Sequence, residues 1–154
     1  MERIASFCVD HNTLEPGIYI SRIDGDITTY DIRMRKPNIP PFIDTPAMHT
    51  IEHLFATYAR NSELKDKVIY FGPMGCRTGF YLLLRDADNL DAIKLIYETF
   101  EFISKFSGEI PGTTAVECGN YLEHDLKGAL KEAKEFLPVI KDYPVCRLDY
   151  NYSK

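Results

Sequence analysis

The pentapeptide His49-Thr50-Ile51-Glu52-His53 constrains this chain more than any other stretch, because it specifies a local structure and a chemistry together. Met48, Ile51, Phe55, Ala56 and Ala59 recur around it at helical spacing, which predicts an amphipathic helix. Asp44 or Thr45 can cap that helix, and Pro46 suits its first turn. On a helix, residues four apart share a face, with Cβ atoms about 5–6 Å apart. His49 and His53 can therefore hold one metal ion between them, and Glu52 flanks the same face. A carboxylate there can reach an open position on the metal and move protons. The plainer alternative is a pair of surface histidines that happen to be four apart. The intervening Glu52, and only 4 histidines in the chain, favour the metal.

Composition narrows the class. A chain of 154 residues is long enough for one domain with a real core, and residues 1–154 show no repeat, low-complexity segment or internal boundary. A net charge of −5 argues against a broad basic face for nucleic acid or an anionic membrane. No run reaches transmembrane length, and Met1-Glu2-Arg3 opens no signal-peptide hydrophobic region, so a cytoplasmic protein is expected. Cys8, Cys76, Cys118 and Cys146 form no C-x-x-C pair, which excludes a zinc ribbon or a thioredoxin-type site. In a reducing compartment they are free thiols, metal ligands or catalytic groups rather than disulfides.

Residues 18–24 alternate as a strand, Asp24-Gly25 signals a hairpin, and residues 28–35 read as the return strand. Tyr30, Ile32 and Met34 share one face of it, and Thr29, Asp31, Arg33 and Arg35 the other. Residues 67–71 form a short strand, 72–79 a glycine-rich turn, and 80–84 a strand whose unbroken apolar run predicts a central place. A helix is expected over 90–105, with Ile93, Ile96, Tyr97, Phe100 and Ile103 buried. Cys118-Gly119-Asn120 is expected to open a last helix over 121–137, ended by Pro138. The arm 1–17 reads as ordered chain with polar side chains in water, and the tail from Lys141 carries no usable pattern. The fold class is α+β: a single-domain two-layer sandwich, a mainly antiparallel sheet with helices packed on one face.

Two histidines do not complete a metal site; zinc or iron(II) takes a third protein ligand and a catalytic site keeps one position open. His11, His124, the four cysteines and many carboxylates are candidates. Cys76 and Cys118 each adjoin glycine in a loop. Arg77 beside Cys76 favours its thiolate, as does the start of a helix just after Cys118. Cys8 and Cys146 are expected to be simply buried. Spacing leaves open which of Cys76 and Cys118 binds metal and which does chemistry.

Five separated motifs occur in order: Ser6-Phe7 with Asp10-His11, Asp31-Ile32-Arg33, the His49–His53 helix, Pro73-Met74-Gly75-Cys76-Arg77-Thr78-Gly79, and Glu117-Cys118-Gly119 with His124-Asp125-Leu126. Together they resemble S-ribosylhomocysteine lyase, the LuxS family, over about residues 4–137. The resemblance implies cleavage of S-ribosylhomocysteine to homocysteine and 4,5-dihydroxy-2,3-pentanedione, the autoinducer-2 precursor, by two carbonyl migrations and a β-elimination. It thereby links the chain to quorum sensing and the methyl cycle. It implies His49, His53 and Cys118 as ligands of one divalent metal per subunit, natively Fe(II), with Zn or Co able to replace it in purified protein. Cys76 and Glu52 are then the proton-moving groups, and Ser6, His11, Arg33 and Arg60 line the substrate pocket. It further implies a homodimer with shared active sites. The family often carries an aspartate six residues before the catalytic cysteine; Tyr70 stands there, which implies altered recognition of the homocysteine ammonium. The segment before the first hairpin is also short, and the chain beyond Pro138 has no counterpart.

Two rivals use the same helix. One is an inverzincin-type (H-x-x-E-H) metallopeptidase with His49, His53 and a downstream glutamate such as Glu117. The other is a non-enzymatic domain around a structural zinc with four protein ligands.

Overall fold

Gly25, at φ 61°, sits in the tight turn where β1 (Gly17–Asp24) folds back on β2 (Ile27–Arg33), with Asp24 facing Ile27 across it. This left-handed backbone suits glycine, as the hairpin signal requires. The computed structural model describes residues 1–152. In it β3 (Val68–Pro73) and β4 (Gly79–Arg85) complete one antiparallel sheet in the order β1-β2-β4-β3. The apolar strand β4 thus lies inside the sheet, as its composition requires.

Strand alternation sends Ile18, Tyr30, Ile32, Phe80, Leu82 and Leu84 to one face, where all are buried. The helices α1 (Thr45–Ala59), α2 (Asn89–Lys105) and α3 (Leu126–Ile140) share the core with that face. One run of aromatic contacts ties the layers together. Phe80 meets Phe71 at 4.9 Å between ring centroids, Phe71 stacks on Phe55 of α1 at 3.8 Å, and Phe55 meets Phe100 of α2 at 5.6 Å. Phe100 then meets Phe136 of α3 at 5.0 Å. The expected α+β sandwich is present. Among the described residues no helix is long and apolar enough to cross a membrane.

Several local expectations are corrected. α3 begins at Leu126, not 121, because Asp125 caps it by accepting the Gly128 N–H at 2.9 Å, while residues 115–117 and 119–122 run as turns. Pro138 lies inside the last turn of α3 rather than ending it, and there it costs a single backbone hydrogen bond. Asp44 takes the N-cap position of α1, but its side chain makes no capping bond. Asp31 and Arg33, on the strand face expected for them, are both buried. Arg35, just past β2, crosses to the helix layer, where its Nε donates to Glu132 of α3 at 3.1 Å. Cys8 and Cys146 are exposed, not buried. The tail is not featureless either: the buried Tyr143 accepts the Ile18 N–H at 3.1 Å and donates to the Ile18 carbonyl at 2.8 Å, and a 3-10 turn follows at Val145–Leu148.

Because Phe55 joins the sheet to α2, truncation should open a cavity that no neighbour can fill. We expect Phe55→Ala to lower stability by about 3–5 kcal/mol, seen as a lower urea midpoint at unchanged slope. A loss of only about 0.5 kcal/mol, as at an exposed site, would show that this ring is not the junction.

Candidate metal centre and active site

Helix α1 buries Met48, Ile51, Leu54 and Phe55, which turns His49, Glu52 and His53 to its half-buried flank. Backbone carbonyls aim both imidazoles. His49 Nδ1 lies 2.8 Å from the Glu123 carbonyl oxygen, and His53 Nδ1 lies 2.7 Å from that of Pro111. A carbonyl only accepts, so each Nδ1 carries the hydrogen and each Nε2 presents a lone pair. Gly112, at φ 72°, follows Pro111 so closely that a Cβ on it would meet His53 Nδ1 at 3.3 Å.

The lone pairs converge. Ligand atoms of His49, His53, Cys118 and His124 all lie within 4.8 Å of one another, and Cys118 Sγ is 3.4 Å from His49 Nε2. His124 Nδ1 meets Thr50 Oγ1 at 3.0 Å, and that hydroxyl also accepts the Asp125 N–H at 3.0 Å. His124 Nε2 is buried with no hydrogen-bond partner. Burial first, then the neighbouring His49 and His53, push the His124 imidazole down to about 4, so its ring is neutral near pH 7. Imidazole nitrogens with one thiol suit a borderline-soft divalent transition metal rather than magnesium or calcium. The residues therefore fit a metal.

Beside the cluster, His49, Glu52 and Met48 of α1 form one wall of a cleft of about 420 Å³. Pro73, at the end of β3, and Met74, Gly75 and Arg77, in the turn before β4, line it as well. Cys76 sits exposed in that turn. Its Sγ lies 3.1 Å from Thr78 Oγ1 and 3.9 Å from Arg33 Nη1. The same Nη1 donates to Thr78 Oγ1 at 2.8 Å, while Nε and Nη2 of Arg33 grip Asp31 at 3.1 and 2.7 Å.

A family model described as S-Ribosylhomocysteinase (LuxS) matches residues 4–143. The chain belongs to the LuxS family. Among its relatives, the S-ribosylhomocysteine lyase of Clostridium acetobutylicum is 50% identical over 97% of this chain and 99% of its own length. That of Porphyromonas gingivalis is 50% identical over 92% of this chain and 93% of its own, and that of Borreliella burgdorferi 46% over 97% and 99%.

The guanidinium beside Cys76 is not that of Arg77. Arg77, at φ 60°, turns away to donate to the Ile43 carbonyl at 3.4 Å and lies 5.9 Å over the Phe42 ring. Nor does a helix start at Cys118; Leu126 opens α3, and the thiol instead receives the Asn120 N–H at 3.5 Å. Of the other pocket residues the LuxS resemblance implies, Arg33 is 3% exposed behind Cys76, whereas Ser6, His11 and Arg60 do not line the cleft. His11 Nδ1 lies 2.8 Å from the Val9 carbonyl, and Arg60 is exposed at the end of α1. Tyr70 is 53% exposed on β3. Glu117, the ligand a metallopeptidase would want, is outside the cluster and accepts from Thr114 Oγ1 at 2.7 Å. Sequence reasoning missed Thr50 and Thr78. It had Asp31 and Arg33 two apart on one strand face, which is the signal for their pairing.

Proposed function

We propose that this LuxS-family chain, as one domain over residues 1–154, is an S-ribosylhomocysteine lyase. The reading is carried by one arrangement: a His49/His53/Cys118 cluster next to Glu52, facing the turn of Cys76 across a cleft. The relatives that bear this name support it over nearly the whole chain.

His49, His53 and Cys118 hold the metal in this reading, with iron(II) as the native ion and zinc or cobalt as substitutes. His124 is the wall behind them: its ring lies 3.9 Å from that of His49 at 23°, and near-parallel imidazoles do not aim two in-plane lone pairs at one ion. A divalent metal bound there supplies a Lewis acid for charge that develops on the ribose oxygens.

The chain's own groups handle protons. The substrate carbonyl moves from carbon 1 to carbon 2 and then to carbon 3. Each move takes a proton from one carbon, returns one to its neighbour, and transfers another between the two oxygens. Glu52 lines the cleft from α1, and Cys76 sits exposed in the turn between the lining residues Gly75 and Arg77, so carbon and oxygen protons could be moved from two sides. With the carbonyl at carbon 3, the proton on carbon 4 is acidic. Its removal leaves an electron pair that forms the carbon 4–carbon 5 double bond and expels the homocysteine thiolate from carbon 5. Proton return to that thiolate and tautomerisation give homocysteine and 4,5-dihydroxy-2,3-pentanedione, the autoinducer-2 precursor. The same step would return homocysteine to the methyl cycle in the cytoplasm.

Arg33, Arg60, Ser6 and His11 are the proposed substrate-pocket residues, the last two contributed by a second copy of the chain in a homodimer. Two observations favour that assembly: neither residue lines the cleft, and the same arm exposes Ile4 (57%) and Phe7 (64%). Tyr70 replaces the family's aspartate near the ammonium.

The test is anaerobic incubation of the iron-loaded protein with S-ribosylhomocysteine, following free thiol. The wild type should release thiol, Cys76→Ala should keep its metal and lose turnover, and Cys118→Ala should lose most of its metal. No release by the wild type rejects the function, and the reverse metal pattern exchanges the two cysteines. Assembly has its own test. Subunits of His53→Ala and His11→Ala, inactive alone, should on exchange recover about a quarter of wild-type activity, since about half the dimers are mixed and each carries one intact site. No recovery despite proven exchange rejects shared sites.

A further inference from the structure

The chain past Pro138 does have a family counterpart, since the LuxS-family match runs to Tyr143, and its tail continues on the sheet face that carries Tyr19 and Asp31. There the Tyr150 ring stacks on Tyr19 of β1, with centroids 4.8 Å apart and planes 14° from parallel. Its hydroxyl donates to Asp31 Oδ2 at 2.6 Å. Asp31 is 1% exposed and Arg33 3%, so the carboxylate is satisfied by Arg33 and by Tyr150 from the tail. Burial first, and then the Asp31 charge, raise the Tyr150 phenol far above its ordinary value, so it keeps its proton and stays a donor. The remaining nitrogen of Arg33 points to Thr78 and Cys76. A continuous path of polar contacts thus runs from Tyr150 through Asp31 and Arg33 to the thiol.

We propose that Tyr150 is a positioning residue for Cys76: its hydroxyl holds the Asp31 carboxylate, which orients Arg33 and so sets the positive charge that the Cys76 sulfur meets. This rests on the role given to Cys76 above. The physical reason is competition for charge. A carboxylate that accepts from Tyr150 as well as Arg33 neutralises the guanidinium less completely, which leaves more of its field at the sulfur. Without the hydroxyl, Asp31 has Arg33 alone, and the guanidinium is drawn toward the carboxylate and away from Thr78 and Cys76.

Tyr150→Phe keeps the ring on Tyr19 and removes the hydroxyl, with its bonds to Asp31 and Ser21. Its readout, on the metal-loaded protein, is the rate at which iodoacetamide alkylates Cys76, followed by peptide mass spectrometry so that Cys8 and Cys146 are counted apart. We expect that rate and kcat to fall together by about three- to tenfold, the size one hydrogen bond transmits, with metal content unchanged. Tyr19→Phe, which loses only a bond to the Glu15 carbonyl, should leave both rates as in the wild type. A tail that merely anchors the chain would give a lower urea midpoint for Tyr150→Phe with wild-type alkylation and kcat, and that result overturns the proposal. If instead Cys76→Ala still turns over, the role of Cys76 in the chemistry fails, while the alkylation rate continues to report whether Tyr150 acts on that thiol.

Discussion

Two hydrogen bonds, from His49 Nδ1 to the Glu123 carbonyl and from His53 Nδ1 to the Pro111 carbonyl, hold the rest of the site in place. They join the most constrained element of the molecule to one of the least regular. α1 cannot turn about its axis, because Ile51, Leu54 and Phe55 are fully buried on its other side. The long connection between α2 and α3 has no helix or strand of its own, so its Pro111 and Glu123 carbonyls take partners from elsewhere. α1 supplies them at His49 and His53, and Thr50 adds a third tie through the Asp125 N–H. Those ties bring Cys118 to His49. They also select the tautomer that leaves both Nε2 atoms free, so the same bonds position the loop and prepare the donors.

A second constraint acts on the other side of the sheet. The Asp31–Arg33 pair is almost completely buried, and a buried ion pair is rarely more stable than well-packed apolar residues would be. Its worth lies in direction: it leaves one guanidinium nitrogen free to face the turn that carries Thr78 and Cys76. Gly79 holds that turn down. It pairs with Arg33, and a Cβ there would lie 2.0 Å from the Ile32 carbonyl oxygen, so any side chain would lift β4 from β2 and carry the turn with it. Asp31 and Arg33 on β2 therefore support Cys76 from one side, while α1 presents the candidate ligands His49 and His53 from the other.

How much of this could be read from the sequence differs from element to element. α1, the hairpin at Gly25 and the inner place of β4 were legible, because periodicity, turn chemistry and an unbroken apolar run each depend on nearby residues alone. The start of α3 was not: Tyr121 and Leu122 look helical, but both are exposed, and the Asp125 cap decides the boundary. Arg77 adjoins Cys76 in sequence, yet its left-handed backbone points it elsewhere, and the arginine that arrives comes from β2. Tyr150 and His124 act through contacts with residues far away in the chain, Asp31 and Thr50, for which local patterns carry no signal. His49, His53 and Glu52 were legible as candidates from helical spacing, whereas the separate roles proposed for Cys76 and Cys118, which spacing had left interchangeable, came from the LuxS resemblance.

The most direct measurement is a crystal structure of Cys76→Ala loaded with iron(II) and S-ribosylhomocysteine, a form that should bind the substrate without consuming it. The metal should lie on His49, His53 and Cys118 with His124 off it, and the ribose in the cleft lined by Glu52 and residues 73–75. A ribose bound outside that cleft, or a metal held without Cys118, would contradict it.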